Sequence, residues 1–333
     1  MLYGSNSIFF NMADHKETEN NIYVGISSCL LGQKVRFDAG HKQDRYITDV
    51  LGEYFKFVPV CPEVEAGMTT PRESVNLVGS PENPRMVGVK SGDDWTARMI
   101  RYSNKRTKLL EKDNLSGYIL KKDSPSCGME RVRVYRDKGI PSRTGRGLFA
   151  SALISRFPLL PIEEEGRLQD ARLRENFIVR VFAYKRLQDL FLTPYKRGDI
   201  VSFHARHKYL LLAHSVTHYR RLGQLVADIK QYKPSDFKDK YSRLFMEALA
   251  VKTTPRKNVN VLQHILGYLK NDLDASEKKY ILGVIDDYHK ELVPLIVPIT
   301  LIRHYIEKFN IEYIRDQIYL NPHPKELMLR NHV

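Results

Sequence analysis

The distribution of apolar residues divides the chain into two parts. The first part holds three short, continuous apolar runs: IYVGISS at 22–28, FKFVPV at 55–60 and GYIL at 117–120. Runs of this length are typical of parallel strands that are buried on both faces. Segments with helical periodicity lie beside them, at residues 43–54, 93–114 and 145–157. This alternation predicts an α/β fold with a Rossmann-like parallel sheet.

Two further segments set the limits of this first domain. The stretch at 69–88 is rich in Pro, Gly and Asn, and it predicts a long loop that covers an edge or a site. FPLLPIEEEG at 157–166 predicts one more strand, which ends the domain. We therefore expect an α/β domain at residues 22–166, preceded by a disordered extension at 1–21.

From Arg167 onward the apolar pattern has the helical period. Five segments show it: LRENFIVRVFAYKRLQDLF, FHARHKYLLLAHSVTHYRRLGQLVADI, FKDKYSRLFMEALAV, VNVLQHILGYLKNDL and ASEKKYILGVIDDYHKEL. Proline and glycine, which end helices, lie at the breaks between them. The pattern predicts an all-α domain at residues 167–333.

Composition makes both parts globular and the whole chain basic. Hydrophobic residues make up 42% of the chain, enough for ordinary cores. Lys and Arg number 53 against 39 Asp and Glu, and more of this excess lies in residues 156–333 than in 1–155. Because basic surfaces release counterions from phosphates, nucleic acid is the leading partner.

The expected cellular location rests on two observations: no membrane or signal segment is recognised, and the cysteines are few and odd in number. No apolar stretch reaches the roughly 20 residues of a membrane span, and the first residues lack the pattern of a secretory signal. Three cysteines, an odd number, argue against a disulfide framework. We expect a cytoplasmic protein with reduced thiols.

Each cysteine lies at, or a few residues beyond, the carboxyl end of a predicted strand. Cys29 follows the first strand, Cys61 the second and Cys127 the third. The carboxyl ends of parallel strands share one edge of the sheet, where ligands bind, so the three thiols are expected to meet there. The loops that carry them, SSCLLG, VCPEVEAG and DSPSCG, are short and polar.

Three thiolates without a fourth are compatible with two kinds of metal site. One is zinc with water as its fourth ligand; the other is a 4Fe-4S cluster with one iron free for substrate. The alternative is that the three cysteines are buried and bind no metal. No C-x-x-C pair is present to indicate a structural zinc site. Spacing alone does not choose between the two metals.

Three cysteine-bearing blocks resemble those of the thiouracil desulfidase family, in order and in context. They are SSCLLGQKVRFDAGHK, VPVCPEVEAGMTTPRES and LKKDSPSCGMERVRVY, within residues 22–155. The resemblance implies an α/β fold in which Cys29, Cys61 and Cys127 hold a 4Fe-4S cluster. It also implies that the open iron of this cluster binds the sulfur of a thiouracil.

The second domain resembles the YbgA-type helical family, which carries no ligand cysteines. The resemblance lies in FHARHKYLLLAHS, KNVNVLQHILGYLK and PLIVPITLIRHY. Proteins that fuse the two domains resemble the bacterial tRNA 4-thiouridine desulfidases. This resemblance implies an enzyme that converts 4-thiouridine in tRNA to uridine, with tRNA bound by the helical domain and no obligatory protein partner.

Desulfuration at C4 of a pyrimidine requires an attacking water and a group that transfers protons. Glu63, two residues after Cys61, is the candidate carboxylate, and Glu65 is its rival. Ser124, three residues before Cys127, is the candidate for positioning water or relaying a proton, with Ser126 as the alternative. Structural roles in capping or turns are the simpler interpretation of both.

Substrate and RNA contacts are predicted at lower rank. Arg36 and Asp38 in KVRFDAG, together with Ser126, are candidates for holding the pyrimidine or a phosphate, although Arg–Asp pairs are often structural. Lys252, Arg256 and Lys257 cluster where a helix is predicted to begin, and they are candidates for binding RNA phosphates. Tyr219, Arg220 and Arg221 combine stacking with charge and form a second candidate patch.

Four histidines, His204, His207, His214 and His218, lie near one helical face, and we expect core packing or RNA contact there in preference to a metal.

Two other functions remain open on the sequence alone. One is desulfuration of free thiouracil or of thiouridine nucleosides, which gives no reason for a basic helical domain. The other is a nucleic-acid-binding protein with a structural metal and no catalysis. Glu63 and Ser124 beside a site with open coordination favour an enzyme.

Overall fold

A computed structural model describes residues 22–136 and 139–332. The prediction of a disordered extension at 1–21 lies outside these residues. Contacts divide the chain into two compact units between Arg156 and Phe157. The first unit contains two β-sheets, whereas the second is built from helices, as the patterns predict.

A parallel sheet forms the centre of the first unit. Its strands β1 (Ile22–Ser27), β2 (Phe55–Val60) and β5 (Gly117–Leu120) coincide with the three apolar runs. β1 lies between the other two and is parallel to both, with Ile22 opposite Phe55 and Val24 opposite Gly117. Because helices and loops cover both faces, β5 is buried at every position, and the continuous apolar pattern reports this burial.

Gly25 in β1 shows how closely this sheet is packed. A Cβ atom at this position would lie 2.2 Å from the ring of Tyr118, a side chain of β5 that is fully buried. Only glycine leaves room for the tyrosine there.

A second sheet occupies the segment for which a long loop was predicted. Strands β3 (Val75–Ser80) and β4 (Asn83–Gly88) form an antiparallel hairpin, so the prediction of a loop over 69–88 is wrong. β6 (Val132–Tyr135) pairs with β3 in parallel, and β7 (Ser142–Gly145) pairs with β6 in antiparallel. Val75, Leu77, Val132 and Val134 supply apolar side chains to its core, but short alternating strands give a weak local signal.

The helices of the first unit are α1 (Pro62–Glu65), α2 (Thr96–Leu110) and α3 (Leu148–Arg156). Helix α2 forms where its buried side chains recur at helical spacing, at Met99, Ser103, Thr107 and Leu110. Short π and 3-10 turns over Tyr46–Val50 and Leu51–Glu53 replace a regular helix before β2.

The second unit begins with a short strand, β8 (Ile162–Glu164), and continues as helices. Its helices are α4 (Ala171–Leu192), α5 (Arg197–His214), α6 (Val216–Ala227), α7 (Pro234–Ala250), α8 (Pro255–Leu266), α9 (Ala275–His289), α10 (Ile296–Lys308) and α11 (Glu312–Arg315). No helix in the described parts of the chain is long and apolar enough to span a bilayer.

Polar caps set where these helices begin. The side chain of Asp170 accepts a hydrogen bond from the amide of Leu173 at 2.9 Å, and Asp274 accepts one from Glu277 at 2.8 Å. Ser215 caps α6 and so divides one long periodic segment into two helices. Such caps satisfy amides that have no partner inside the helix, which explains why the boundaries follow short polar residues.

Candidate functional site

The three cysteines line one cavity of about 370 Å³ in the first unit. Cys29 and Cys127 are buried, Cys61 is partly exposed, and none forms a disulfide. Each follows the carboxyl end of a strand of the parallel sheet, which explains why residues so far apart in sequence meet. Their convergence is what the order of strands and cysteines predicts.

Cys29 lies in the turn that follows β1. A single 3-10 turn, Ser28–Leu31, places its thiol beside the end of the strand. The carbonyl of Cys29 accepts a hydrogen bond from the amide of Lys42 at 2.9 Å, which ties the next loop to this turn. Lys42 thereby reaches the wall of the cavity.

Cys61 is the N-cap residue of the short helix α1, with Pro62 in the first helical position. Its amide donates to Glu65 Oε1 at 2.9 Å, and Glu65 Oε2 accepts from the hydroxyl of Tyr102 at 2.6 Å. Glu65 therefore fixes the start of the helix. Glu63, which lies on the same helix, lines the cavity, whereas Glu65 is not among the residues around it.

The loop that carries Cys127 is held by the start of helix α3. The amide of Cys127 donates to Ser124 Oγ at 3.1 Å, and the carbonyl of Ser126 accepts from the amides of Phe149 at 3.0 Å and Ala150 at 3.1 Å. A Cβ atom at Gly147 would lie 2.4 Å from the oxygen of Ser126. This close approach requires glycine at position 147.

Burial and neighbouring charges disfavour ionisation of the thiols. Burial raises the pKa of Cys127 above its ordinary range, and negative charge on Glu63, Cys29 and Cys61 raises it further. Burial also raises the pKa of Cys61. A bound cation reverses this balance, because thiolates that repel one another become its ligands.

The donor set fits an iron-sulfur cluster, because thiolates are the usual ligands of its irons. Within the described residues, no three His, Cys, Asp or Glu side chains form a group that matches a site for one metal ion. In a 4Fe-4S cluster each cysteine binds a different iron atom, so three thiols spaced around a cavity suit it. The site has three soft sulfur donors and lies in a cavity that also has room for a small molecule.

Glu63 is held on both sides of its carboxylate. Arg72, whose side chain is 7% exposed, forms an ion pair with Glu63 Oε2, and its Nη1 also donates to the carbonyls of Val35 and Thr69 at 3.1 Å each. Ser126 donates its hydroxyl to Glu63 Oε1 at 2.7 Å. The carboxylate is thus fixed in place at the wall of the cavity.

Ser124 and Ser126 form a short hydrogen-bonded chain. Their hydroxyl oxygens lie 2.9 Å apart, and Ser126 makes the contact with Glu63. Ser124 Oγ accepts hydrogen bonds from the amides of Ser126 at 3.3 Å and Cys127 at 3.1 Å, so it also fixes the turn. Both the catalytic and the structural interpretation of Ser124 therefore have contacts that support them.

Arg36 lines the cavity, but Asp38 does not. Asp38 Oδ1 lies 3.5 Å from Arg36 Nε and accepts from the amide of Gly40 at 3.0 Å. The bond from Gly40 and the charge of Arg36 lower the pKa of Asp38. The pair is arranged to orient the loop and its arginine, and only Arg36 of the two lines the cavity.

Residues not singled out in the sequence complete the cavity. Arg72 lies in the TTPRES part of the second cysteine block, but nothing local to that stretch shows that its side chain turns toward Glu63. Lys42, Lys121 and Lys122 make the wall basic. Lys121 and Lys122 follow the end of β5 directly, and this position indicates in the sequence that they lie near the cysteine cavity.

The predicted RNA-binding residues are spread over the helical unit. Arg220 lines two shallow depressions, and Lys252 lines a separate cavity of about 350 Å³. Arg221 and Arg256 are exposed. Lys257 donates its amino group to the carbonyls of His214 at 2.8 Å and Lys252 at 2.9 Å, and so links segments of the fold.

The four histidines have separate partners. His204 contacts the hydroxyl of Tyr241 at 3.2 Å, His207 the carbonyl of Phe203 at 2.8 Å, His214 the carbonyl of Val251 at 2.6 Å and His218 the hydroxyl of Ser215 at 2.8 Å. Burial lowers the pKa of His207 and His214. The four histidines therefore do not share a common ligand, and His207 and His214 are packed in the core.

The fold and the site define a class of two-part protein: an α/β unit with a three-cysteine cavity, followed by a helical unit. The family model described as 2-thiouracil desulfurase matches residues 24–165, and the model of a protein of unknown function, DUF1722, matches residues 208–324. "Uncharacterized protein YbgA" of Escherichia coli (strain K12) is 32% identical over 161 residues, which are 48% of this chain and 95% of that protein.

Two more relatives share similarity with this chain. "Uncharacterized protein YbbK" of Bacillus subtilis (strain 168) is 33% identical over 108 residues, 31% of this chain and 71% of that protein. A solved structure titled [4Fe-4S]-dependent thiouracil desulfidase TudS is 30% identical, with 45% of this chain and 94% of that one covered and a TM-score of 0.37. The chain belongs to the YbgA family, with a 2-thiouracil desulfurase domain ahead of its DUF1722 domain.

Proposed function

We propose that this protein is a cytoplasmic desulfidase that converts 4-thiouridine in tRNA to uridine with a 4Fe-4S cluster. One observation carries the proposal: three cysteines that form no disulfide and a fixed carboxylate, Glu63, line the same cavity of the desulfurase domain. A reducing compartment maintains cysteines without disulfides, which supports the cytoplasm as its location.

Cys29, Cys61 and Cys127 are the residues that hold the cluster in this proposal. When bound, the cluster supplies an iron without a protein ligand, a Lewis acid toward the sulfur of the thiocarbonyl. The reaction consumes water: oxygen replaces sulfur at C4 and the sulfur leaves as sulfide. No electrons are exchanged, so no reductant or oxidant is needed.

Glu63 is the general base in this proposal. Its carboxylate is within the cavity, and water that attacks C4 loses a proton to it. Arg72 and Ser126 hold one oxygen each, which leaves the carboxylate no freedom to turn away from the substrate. The Ser126–Ser124 pair extends this hydrogen-bonded chain, so a proton has a route along hydroxyl groups.

The charge around the cavity supports a nucleotide substrate over a free base. Basic residues outnumber acidic ones in its lining, since Arg36, Lys42, Arg72, Lys121 and Lys122 stand against Glu63 and Asp123. Such a lining attracts a phosphate, which a neutral thiouracil lacks. The basic helical unit adds a second surface of the same sign. A uridine within folded tRNA needs such contacts, because the enzyme must hold the backbone while the base enters the cavity.

The test is desulfuration by protein that is purified and reconstituted with iron and sulfide without oxygen. We expect 4-thiouridine in tRNA to be lost with release of one equivalent of sulfide, and its kcat/KM to exceed that of free thiouracil. Cys29→Ala, Cys61→Ala and Cys127→Ala are each expected to lose the cluster absorption and turnover, because three ligands leave no spare thiol.

Other results of this experiment separate the alternatives. Turnover of free thiouracil or of nucleosides alone contradicts the tRNA assignment and retains the desulfidase. Tight binding of zinc with no iron, and no turnover of any thiolated pyrimidine, contradicts both and favours a structural metal.

A further inference from the structure

Lys208, Tyr209, Tyr268 and Tyr313 meet on the helical unit and come from three separate segments of it. Lys208 lies in α5, Tyr268 follows α8, and Tyr313 lies in α11. The amino group of Lys208 donates to the hydroxyl of Tyr313 at 2.6 Å, and the hydroxyl of Tyr268 shares hydrogen bonds with Tyr209 and Lys208. The rings of Tyr268 and Tyr313 lie 5.4 Å apart between centroids, tilted by 31°.

Both rings remain accessible although their hydroxyl groups are tied down. Tyr268 is 41% exposed and Tyr313 is 56% exposed. Exposed tyrosines of this kind usually move freely, but here the amine and the shared hydrogen bonds restrict the ring planes. A rigid aromatic surface loses little entropy when a ligand stacks on it.

Two adjoining depressions lie beside Lys208, and Tyr313 is not among the residues that line them. They have volumes of about 430 and 580 Å³ and share Lys208, Tyr219 and Arg220. The second also includes His264 and Tyr268. None of the described residues that line either depression is an Asp or Glu, so both are basic.

We propose that this tyrosine surface, formed by Lys208, Tyr219, Arg220, Tyr268 and Tyr313, binds unpaired nucleotides of RNA by stacking. The inference rests on the proposed action on tRNA and names the surface and the part of the RNA. Tyr268 and Tyr313 stack on bases, whereas Lys208 and Arg220 contact phosphates.

The mixture of groups favours single-stranded RNA over other partners. Bases in loops have free faces that stack on aromatic rings, and the backbone beside them carries one negative charge per nucleotide. A helical duplex offers phosphates but no free base, and it has no use for the exposed rings. An acidic protein chain supplies negative charge, but it does not place a planar base beside every charged group as single-stranded RNA does.

Stacking and charge are tested on different residues of the surface. Tyr268→Ala with Tyr313→Ala removes stacking without removing charge. We expect the Kd for tRNA and for a single-stranded oligouridine to rise about fivefold or more, with an unchanged slope of log Kd against log salt. Arg220→Ala, which leaves the hydrogen bond between Lys208 and Tyr313 in place, is expected to make that slope shallower by about one.

Two further variants show whether the rings themselves are responsible. Tyr268→Phe with Tyr313→Phe retains the rings, and we expect most of the RNA affinity to remain. Tyr280→Ala removes a tyrosine of α9 that is 64% exposed and lies outside both depressions, so its Kd is expected to match the wild type. Thermal unfolding and turnover of the 4-thiouridine nucleoside verify folding of each variant.

The outcomes distinguish this inference from the proposed function. If the double alanine variant binds tRNA and oligouridine as the wild type does, the tyrosine surface is overturned, whatever the enzyme does. If stacking-dependent RNA binding is found but no thiolated RNA is desulfurated, the surface stands and the proposed chemistry falls. Wild-type protein that binds no RNA at all contradicts both.

Discussion

The carboxylate of Glu63 is fixed by side chains that are remote from it in the sequence. Arg72 lies in the segment before β3, and Ser126 lies in the loop after β5. Arginine suits this position because its planar fork serves a carboxylate and two carbonyls at once, which an ammonium group cannot match in geometry.

Arg72 is therefore predicted to position Glu63. We expect Arg72→Gln to lower kcat for a 4-thiouridine nucleoside about tenfold or more, with a smaller change in KM, because the carboxylate loses its fixed orientation. Arg72→Lys is expected to recover little of this loss. Steady-state kinetics of the iron-loaded variants give both parameters.

Two measurements guard this prediction against a general structural effect. Iron content of the Arg72 variants is expected to stay near that of the wild type, and Arg85→Gln, which alters an arginine that is 65% exposed, is expected to leave kcat unchanged. Arg72→Gln with wild-type kcat at full iron content contradicts the assignment.

At the scale of elements, the cavity depends on how loops are tied to the starts of helices. The carbonyls of Pro125 and Ser126 accept hydrogen bonds from amides at the start of α3, and Gly147 precedes that helix directly. Helix α1 begins directly after Cys61, which is its N-cap residue. The thiols are placed by caps and turns, which are local structures that the parallel sheet brings together.

Gly147→Ala is predicted to disturb the loop of Cys127 without touching a reacting group. A methyl group there lies too close to the oxygen of Ser126 and to the amide of Cys127, so the loop must move. We expect a destabilisation of about 1–3 kcal/mol and a lower iron content, measured by thermal unfolding and iron analysis. Gly283→Ala in α9, where no atom lies within 4 Å, is the control and is expected to stabilise by about 0.5–1 kcal/mol. Normal iron content in Gly147→Ala contradicts this account.

Buried histidines make the helical unit sensitive to acid. Burial lowers the pKa of His214 to about 4 and that of His323 to about 4. Between pH 6.5 and 4 the unfolded chain binds protons that the folded chain does not, so the free energy of unfolding falls as the pH falls through this range. The stability is fully present above the ordinary histidine pKa.

We expect the melting temperature of the helical unit, followed by circular dichroism, to decrease steadily from pH 7 to pH 5. Each buried histidine contributes at most about 1.4 kcal/mol per pH unit. His214→Gln is expected to melt lower than the wild type at pH 7 but with a shallower dependence on pH. His264→Gln, which alters an exposed side chain, is expected to keep the wild-type dependence, and a flat wild-type profile contradicts the prediction.

At the scale of the whole molecule, chemistry and charge lie in different parts of the chain. The three cysteines are in residues 22–166, which we propose as the catalytic domain, and more of the basic excess is in the helical part, proposed at 167–333 as the tRNA-binding domain. Such a division predicts that substrate size determines how the enzyme responds to salt.

We expect kcat/KM for thiolated tRNA to fall steeply as salt rises, whereas that for the nucleoside changes little. Lys252→Ala with Arg256→Ala is expected to weaken tRNA turnover and flatten its salt dependence, with nucleoside turnover as the internal control. Lys257 is left in place because its amino group holds two carbonyls of the fold. An equal loss on both substrates contradicts the division.

The sequence by itself determined the elements that depend on local pattern. Continuous apolar runs marked the parallel strands, helical periodicity marked the second unit, and the cysteines at strand ends indicated where the cavity forms. The sequence pattern did not predict the hairpin of β3 and β4, because short strands of a second sheet depend on their partner strands more than on their own residues.

Only the tertiary structure decided which side chains meet. Nothing in the local sequence pairs Arg72 with Glu63, and Ser126, the alternative to Ser124, makes the direct bond to that carboxylate. Tyr268, in the turn after α8, and Tyr313, in α11, come together because both segments lie beside Lys208 of α5. Periodicity reports whether a residue faces a core, whereas contacts between distant segments depend on how complete elements pack.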